Sequence, residues 1–251
     1  MNRLLSCMLR RAGILAPEAI VVGPGKGLRF DPGPSNADYA SGNNELPVQQ
    51  ALADHLRPGS VFFDVGANVG FLTVLGARLV GREGKVYAFE PVATNADYVR
   101  RNCRVNGFSH VQVHEMAVSN HCGPGQLNLA AYSGGAALAS ADAPPDPAGT
   151  QLVELVTIDV TVERDGFAPP HLIKIDVEGA ELEVLQGMAA TAARHRPVVI
   201  VEVDAGEPEP LRRKQADCEQ WLRQHGYQVH ELPDSYAGAR WLVKHIIATP
   251  G

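Results

Sequence analysis

The chain has 251 residues, of which 45% are hydrophobic, so it is long enough for one α/β domain with a sizeable core and an N-terminal appendage. Its formal net charge of -6 speaks against a broad basic surface for nucleic acid. Its four cysteines form no C-x-x-C pair, which argues against a zinc knuckle or a disulfide framework and fits a reduced, cytoplasmic setting.

The first 45 residues are predicted to be an extension of helix and loop, followed by one main domain over residues 46–251. Residues 1–16 have the apolar spacing of an amphipathic helix. The apolar run is too short and too interrupted for a membrane span or a signal sequence. We expect a helix packed on the domain, and a helix on a membrane surface is the alternative.

A loop precedes the main domain. Residues 23–44 are rich in glycine, proline, serine and asparagine, which is typical of loop structure. A loop in this place could fold over a bound cofactor or substrate. Tyr39, Asn43 and Glu45 are the candidate covering residues, and capping and surface packing are their alternative roles.

The first strong pattern is a strand that turns through glycines into a helix. Val61–Val65 is rich in β-branched and aromatic residues, which predicts a buried strand, and an apolar helix follows from Phe71. Such a turn places unpaired backbone N–H groups and the positive end of the helix dipole around a polar or anionic ligand. Asp64 lies at the strand end, and Gly66 would let the ligand approach the backbone.

Three interpretations of this turn compete. It could bind the pyrophosphate of a dinucleotide, although that fingerprint needs a second glycine where Asn68 stands. It could hold the amino-acid end of S-adenosylmethionine (SAM), with Asp64 facing the ammonium group and the loop amides facing the carboxylate. It could also be an ordinary tight turn, because a single glycine-rich turn is weakly specific.

The next predicted strand, Lys85–Glu90, ends in an acid. A carboxylate at this place can accept both hydroxyl hydrogens of a ribose, as in βαβ nucleoside sites. Pro91 follows and holds Glu90 extended. The combined spacing of the glycine turn and this acid favours a nucleoside-containing ligand.

A third strand is predicted over Val111–Glu115, which brings Met116 beside the expected adenine position. Met116 either covers the adenine ring or belongs to the core. Residues 132–150, farther along, are almost all alanine, glycine, serine, proline and aspartate and lack the apolar content to bury themselves. We expect them to form either a mobile lid or a disordered surface insertion.

Charged and apolar residues alternate over Lys174–Glu178. Lys174, Asp176 and Glu178 would share one face of a strand. Charges there are costly unless they are paired or used, because central parallel strands are normally apolar on both faces. A structural ion pair of Lys174 is one account, and a pair of acids at the mouth of the cofactor site is the other.

Alternating strands and helices continue to the end of the chain, where two strands follow each other without a crossover helix. They should therefore pair antiparallel. The whole pattern predicts an α/β fold with a doubly wound sheet.

The chain resembles the FkbM family of SAM-dependent methyltransferases over about residues 46–204. Four segments carry the resemblance in this order and spacing: Asp64–Gly70, Phe89–Pro91, Thr157–Asp159 and Lys174–Glu181. The resemblance implies a class I methyltransferase fold (Rossmann-like), with a seven-stranded sheet and the last strand antiparallel. It also implies methylation of an oxygen, usually a hydroxyl on a sugar or a secondary metabolite.

We expect the glycine turn to hold the methionine part of SAM and the second strand end to hold its ribose. The predicted cofactor-binding residues are Asp64, Gly66, Ala67, Asn68, Gly70, Glu90, Pro91, Glu115, Met116 and Asp176. Because the sulfonium already activates the methyl group, the protein mainly supplies in-line positioning.

A sugar hydroxyl is a poor nucleophile, so a base or a metal must help. Asp176 is the predicted base, with Glu178 or Glu202 tuning it, since neighbouring carboxylates raise one another's pKa. In the alternative, Asp176, Glu202 and a nearby acid bind Mg²⁺. We assign no catalytic role to histidine; His230 and His245, in the last strands, are interpreted as structural or surface residues.

The sequence leaves two alternative functions to consider. A NAD-linked oxidoreductase would fit a Rossmann-type fold, but Asn68 argues against it. A non-catalytic adenosine-binding module would have lost the chemistry, and the intact pair Asp64 and Glu90 argues against that. The expected partner is a small hydroxylated acceptor rather than nucleic acid, and the sequence leaves the oligomeric state open.

Overall fold

A computed structural model describes residues 17–33, 35, 39, 41–130, 136–141, 147–236 and 242–251. The helix predicted over residues 1–16 lies outside the described residues. In chain order the strands are β1 (Glu18–Ala19), β2 (Arg29–Phe30), β3 (Val61–Val65), β4 (Lys85–Phe89), β5 (Val111–His114), β6 (Ala117–Val118), β7 (Gly123–Ala130), β8 (Ala136–Leu138), β9 (Pro147–Val156), β10 (Leu172–Ile175), β11 (Val198–Ala205), β12 (Tyr227–Glu231) and β13 (Leu242–Pro250). The helices are α1 (Leu46–His55), α2 (Phe71–Val80), α3 (Ala93–Val105), α4 (Ile158–Glu163), α5 (Glu181–Gln186), α6 (Ala189–His195) and α7 (Pro208–Gln224).

Seven strands form the central sheet, in the order β12-β13-β11-β10-β3-β4-β5. Strands β11, β10, β3, β4 and β5 run parallel, and β13 is antiparallel to both of its neighbours. The predicted doubly wound sheet with an antiparallel last strand is therefore confirmed.

Both faces of this sheet are buried, as the apolar composition of its strands predicts. Successive residues of β3 point to opposite faces: Phe62 packs with the core under α1, α2 and α3, whereas Phe63 packs with the core under α5, α6 and α7. Both side chains are fully buried. The two cores fix the ends of the parallel strands relative to one another, and the candidate site lies at those ends.

The part of the N-terminal extension that is described packs on the main domain. Strands β1 and β2 pair antiparallel, and Phe30 joins the core that includes Phe71 of α2. The Asn102 side chain accepts a hydrogen bond from the Asp31 N–H and donates to the Asp31 and Val69 carbonyls, at 2.8, 3.0 and 2.9 Å. Asn102 thus ties the extension to the glycine turn. The boundary at residue 45 stays a prediction.

A second, four-stranded sheet has the order β6-β9-β7-β8. It includes Ala136–Leu138 and the start of β9 at Pro147, which the sequence had indicated as a lid or a disordered insertion. For these described residues the expectation of disorder is wrong, whereas a role as a lid or substrate loop stays a prediction. They lack strong strand propensity, but pairing with β7 gives them a partner and buries Leu138 beside Leu127 and Leu155.

Candidate active site

The candidate site lies where the order of the central sheet reverses. After β3 the chain passes through α2 to β4 on one side, whereas β10 pairs with β3 on the other side. Ligands of open α/β sheets bind in this crevice, at the carboxyl ends of the strands. The predicted site residues Asp64, Glu90 and Asp176 lie at or next to such ends, whereas Glu202 lies within β11, which continues to Ala205.

The turn after β3 has three residues in the left-handed conformation: Gly66 at φ 80°, Asn68 at φ 50° and Gly70 at φ 87°. A Cβ atom on Gly66 would lie 1.7 Å from the backbone oxygen of Asp176, so only glycine fits. The sequence analysis explained this glycine by the approach of a ligand to the backbone. In the structure, the backbone of Asp176 in the adjacent segment already makes that close approach.

A cleft with about 580 Å³ of empty volume opens beside this turn. The second sheet closes it with apolar side chains, among them Leu127 and Leu138. Seven of the residues predicted for cofactor or catalysis line the cleft: Gly66, Asn68, Glu90, Pro91, Met116, Asp176 and Glu178. The cleft therefore combines a polar end at the turn with an apolar wall, as a nucleoside needs.

Glu90 is the buried acid of this cleft, with 5% of its surface exposed. Its Oε2 accepts a hydrogen bond from the Asn68 N–H at 2.8 Å, and its Oε1 accepts one from the Val92 N–H at 2.9 Å. Burial raises the pKa of Glu90 to about 7, despite these hydrogen bonds. A ligand that donates hydrogen bonds to the carboxylate would favour its charged form.

A smaller cavity on the other side of the turn has about 290 Å³ of empty volume. Asp64 lines it together with Ala67, Asn68 and Asp176. Thr73 Oγ1 donates to Asp64 Oδ2, but Asp64 Oδ1 is buried without a hydrogen-bond partner. Burial raises the pKa of Asp64, and nearby Lys174 opposes that shift. An unpartnered carboxylate oxygen at this place fits the ammonium group of SAM.

Two predicted cofactor residues stand apart from both cavities. Glu115 forms an ion pair with Arg100 at 2.7 Å and lines neither of them. Gly70 is the N-cap of α2 and packs against Val99, so its contribution is to the turn. A direct contact of either residue with the cofactor stays a prediction that this geometry does not support.

The predicted row of three charges on one strand face is wrong. Strand β10 ends at Ile175, and Glu178 lies beyond it in a left-handed conformation with φ 55°. Lys174 is buried within the strand, and its Nζ donates to Asp176 Oδ2 at 2.6 Å. The structural account of Lys174 as half of an ion pair is therefore correct, and Asp176 still lines both cavities.

Carboxylates crowd the region beyond Asp176. Burial raises the pKa of Glu178 well above its ordinary value, and Asp176 and Asp204 raise it further. Burial likewise raises the pKa of Glu202 well above its ordinary value, with further contributions from Asp176 and Glu45. Such shifts are typical of groups that exchange protons in catalysis, although structural networks produce them as well.

His245, interpreted from the sequence as a structural or surface residue, contacts one of the predicted catalytic acids. Its Nε2 lies 2.6 Å from Glu202 Oε2, and only 1% of its side chain is exposed. The signal for it is the antiparallel pairing of β13 with β11, which sets His245 opposite Glu202. That register is not readable from the sequence pattern alone.

Glu45 is the candidate covering residue that reaches this group. It accepts hydrogen bonds from Tyr236 Oη at 2.6 Å and from Asn44 Nδ2 at 2.7 Å. Tyr39 lines the smaller cavity beside Glu45, whereas Asn43 is exposed and lines neither cavity.

The metal alternative does not fit as it was predicted. Within the described part of the chain, donor atoms of Glu45, Glu202 and His245 lie within 4.8 Å of one another, and Asp176 is not in this group. Two donors on one Mg²⁺ or Zn²⁺ stand about 3 Å apart. The 2.6 Å contact between Glu202 and His245 is instead a hydrogen bond.

No helix among the residues that the structure describes is long and apolar enough to cross a lipid bilayer.

The doubly wound seven-stranded sheet with its last strand antiparallel is that of a class I SAM-dependent methyltransferase. The model of the methyltransferase FkbM domain matches residues 64–229, and the chain belongs to this family. The resemblance noted from the four sequence segments is thereby confirmed. Membership in a methyltransferase family speaks against the NAD-linked oxidoreductase.

Two curated relatives indicate the chemistry of similar proteins. The hexuronic acid methyltransferase AglP of Haloferax volcanii is 27% identical over 173 residues, which are 64% of this chain and 63% of that protein. The 31-O-demethyl-FK506 methyltransferase FkbM of Streptomyces tacrolimicus is 28% identical over 243 residues, 80% of this chain and 88% of that protein. The chain thus spans less than two thirds of the first relative.

Among solved structures, the methyltransferase FkbM of Methylobacillus flagellatus KT superposes with a TM-score of 0.53 at 17% identity, covering 98% of this chain and 70% of that one. The precorrin-6y C5,15-methyltransferase of Geobacter metallireducens GS-15 gives a TM-score of 0.50 at 14% identity, covering 86% and 93%. At these identities the likeness shows the fold alone.

Proposed function

We propose that this protein transfers the methyl group of SAM to a hydroxyl oxygen of a sugar or a secondary metabolite. The observation that carries the proposal is the pair of buried acids on the two sides of the glycine turn. Asp64 offers an unpartnered oxygen to an ammonium group, and Glu90 lines the cleft between the glycine turn and the second sheet. The names of the two curated relatives, one for a hexuronic acid and one for 31-O-demethyl-FK506, support an oxygen acceptor.

The cleft and the smaller cavity divide the cofactor between them. In this proposal Glu90 accepts the ribose hydroxyls, Met116 and Leu127 contact the adenine ring, and Asp64 binds the ammonium group. When bound, SAM supplies a methyl group that its sulfonium has already activated. The acceptor then lies beyond Asp176, over the ends of β10 and β11, where the sheet presents its remaining carboxylates.

A carboxylate at this edge removes the hydroxyl proton. Among the predicted bases, Asp176 borders both cavities, Glu178 borders the cleft, and Glu202 lines neither but acts electrostatically with Asp176. Because its Oδ2 is bound to Lys174, Asp176 is held in one position. Replacing Asp176 by Asn should therefore lower kcat while the affinity for S-adenosylhomocysteine changes little.

The first test is a panel of acceptors with SAM. The panel contains sugar nucleotides and hydroxylated macrolide-type metabolites, each paired with an analogue that lacks the hydroxyl group. We expect S-adenosylhomocysteine to form with some hydroxylated members and with none of the deoxy analogues, and NMR of the product to show an O-methyl group.

The matched variants are Glu90→Gln, which should abolish turnover at low SAM concentration, and Glu154→Gln, an exposed strand acid that should not. A methyl group found on nitrogen or carbon would refute O-methylation. Binding of S-adenosylhomocysteine with no turnover on any member would favour the non-catalytic adenosine-binding module.

A further inference from the structure

A row of polar side chains crosses the carboxyl edge of the central sheet. Ile175 of β10 stands opposite Val201 of β11, so Asp176 and Glu202 are the next residues along these two segments. Glu202 in turn stands opposite His245 of β13. The row leads away from the cofactor turn, through Asp176 and Glu202, and ends at His245.

Glu202 and His245 form a close pair of unequal exposure. Their contact is 2.6 Å, and 14% of the Glu202 side chain is exposed compared with 1% for His245. The other ring nitrogen of His245, Nδ1, lies 3.4 Å from Ser235 Oγ. A neutral imidazole with its proton on Nε2 satisfies both contacts, because Ser235 then donates to Nδ1 and Nε2–H donates to Glu202.

Burial, rather than the acids around the pair, favours this neutral form of the imidazole. Burial lowers the pKa of His245, and the net shift stays downward although Glu45 and Asp176 raise it. The other charged groups that act on the pair are Lys174, Asp204 and Asp234. Tyr236 from the loop before β13 packs near the His245 ring, with ring centroids 6.3 Å apart.

Asp176 is differently placed. Its Oδ2 accepts a hydrogen bond from the buried Lys174 ammonium group at 2.6 Å. The partner of Asp176 is a cation, whereas the partner of Glu202 is the imidazole ring of His245. The two acids at this edge therefore have chemically different partners, whereas the sequence analysis took Asp176 as the base and Glu178 or Glu202 as the residue that tunes it.

We propose that Glu202, oriented by His245, takes the proton from the acceptor hydroxyl, while Asp176 on Lys174 orients that hydroxyl toward the methyl group. The O–H bond of the acceptor breaks and its proton goes to a carboxylate oxygen of Glu202. The electron pair left on the acceptor oxygen forms the bond to the methyl carbon, whose former bonding pair stays on sulfur. His245 is a positioning residue that acts through Glu202. This assignment rests on the proposed O-methylation.

The first experiment needs no acceptor. In the full chain labelled with ¹⁵N-histidine, the imidazole signals of His245 are assigned by their loss in His245→Gln. We expect the neutral form with the proton on Nε2, unchanged as the pH falls through about 6.5, the ordinary histidine pKa. A proton on Nδ1 would mean that Glu202 already carries a proton and donates it to Nε2. Protonation of the ring near pH 6.5 would mean that His245 and Glu202 form an ion pair. Either result would overturn the proposal. Because methyl transfer plays no part, this outcome is independent of the proposed function.

The second experiment measures kcat against pH with an acceptor from the panel. Glu202→Gln should lower kcat about 10²- to 10⁴-fold with the dissociation constant of S-adenosylhomocysteine within about twofold. His245→Phe removes the donor and should move the ascending limb of the profile upward by about one pH unit or more. His245→Gln keeps a donor and should return the limb toward its original position.

The matched control is His230→Gln on β12, an exposed strand histidine that should leave the profile unchanged. If His245→Phe lowers the rate at every pH without moving the limb, His245 is only structural and the proposal fails. Full kcat in Glu202→Gln overturns it as well. So does activity that EDTA abolishes and Mg²⁺ or Mn²⁺ restores, because Glu45, Glu202 and His245 would then be cation ligands.

Discussion

Lowering the pH should weaken the binding of S-adenosylhomocysteine, because Glu90 must be ionised to accept both ribose hydroxyls. Burial raises the pKa of Glu90 to about 7. If only the ionised form binds, the apparent dissociation constant is multiplied by 1 + 10^(7 − pH). Relative to the fully ionised protein, the dissociation constant is about 11-fold higher at pH 6 and about 1.1-fold higher at pH 8. Binding is therefore about tenfold, or ~1.4 kcal/mol, weaker at pH 6 than at pH 8.

Isothermal titration calorimetry at pH 6, 7 and 8 measures this change, and buffers of different ionisation enthalpy count the protons released on binding. The control is Glu90→Gln, which should bind weakly and equally at all three values. Comparison with this variant also subtracts any titration of the ligand itself.

A second control addresses Glu181, whose pKa is also raised to about 7 by burial. Its Oε1 accepts the Gly179 N–H and it does not line the cleft, so Glu181→Gln should keep the pH dependence. A dissociation constant that is flat from pH 6 to 8 in the unmodified protein would refute the reasoning. An equal slope in Glu90→Gln would refute it too.

Four further outcomes follow from the same structure. Gly66→Ala should cost more than ~2 kcal/mol of unfolding free energy and abolish S-adenosylhomocysteine binding, by thermal unfolding and calorimetry, because its Cβ would overlap a backbone oxygen at 1.7 Å. Asn102→Ala should cost about 3 kcal/mol in urea, since it leaves buried backbone groups unpaired. Leu127→Ala, at a 2% exposed position lining the cleft, should cost about 2–4 kcal/mol in urea. The raised pKa of Glu90 gives stability that is present below about pH 4.5 and lost as the pH rises through about 7, so unfolding of the unmodified protein relative to Glu90→Gln should show a loss of about 3 kcal/mol.

The sequence predicted the central sheet well because its signal is local. Buried parallel strands such as Val61–Val65 are continuous apolar runs, and the glycines that follow have one dominant structural use. The positions of Asp64 and Glu90 then follow from topology, since parallel strands end at one edge. That is why most residues of the proposed cofactor half of the site could be named from the sequence, whereas Glu115 and Gly70 line neither cavity.

The second sheet could not be predicted in this way. Residues 136–138 read Ala-Ala-Leu, and they form a strand only because β7 lies beside them. Propensity is weak for such residues, and pairing across the sheet decides the outcome. The apolar wall of the cleft, including Leu138, was therefore missed, although its chemistry is as simple as that of the core.

The acid edge shows a different limit. Alternation from Lys174 to Glu178 predicted one strand face, but the strand ends at Ile175 and the left-handed Glu178 leaves that face. The two acids find their partners differently: Asp176, just after β10, pairs with Lys174 two residues earlier, whereas Glu202 pairs with His245 of β13 across 43 positions of sequence. Only the partner of Glu202 is thus set by the register of the sheet.

This division explains how one edge can serve two needs. The cofactor carries positive charge, and acids near it need oxygen atoms that can accept its hydrogen bonds: Asp64 Oδ1 has no hydrogen-bond partner, and Glu90 is held by neutral N–H donors. The acceptor hydroxyl is neutral before the reaction and loses a proton during it, so it needs one acid that is already paired with a cation and one that is not. Lys174 and His245 make that distinction, one by its charge and the other by a hydrogen bond that leaves the charge of Glu202 in place. Exchanging the two partners would give the same number of buried charges, but it would place the free base next to the sulfonium and the ion pair next to the proton to be removed.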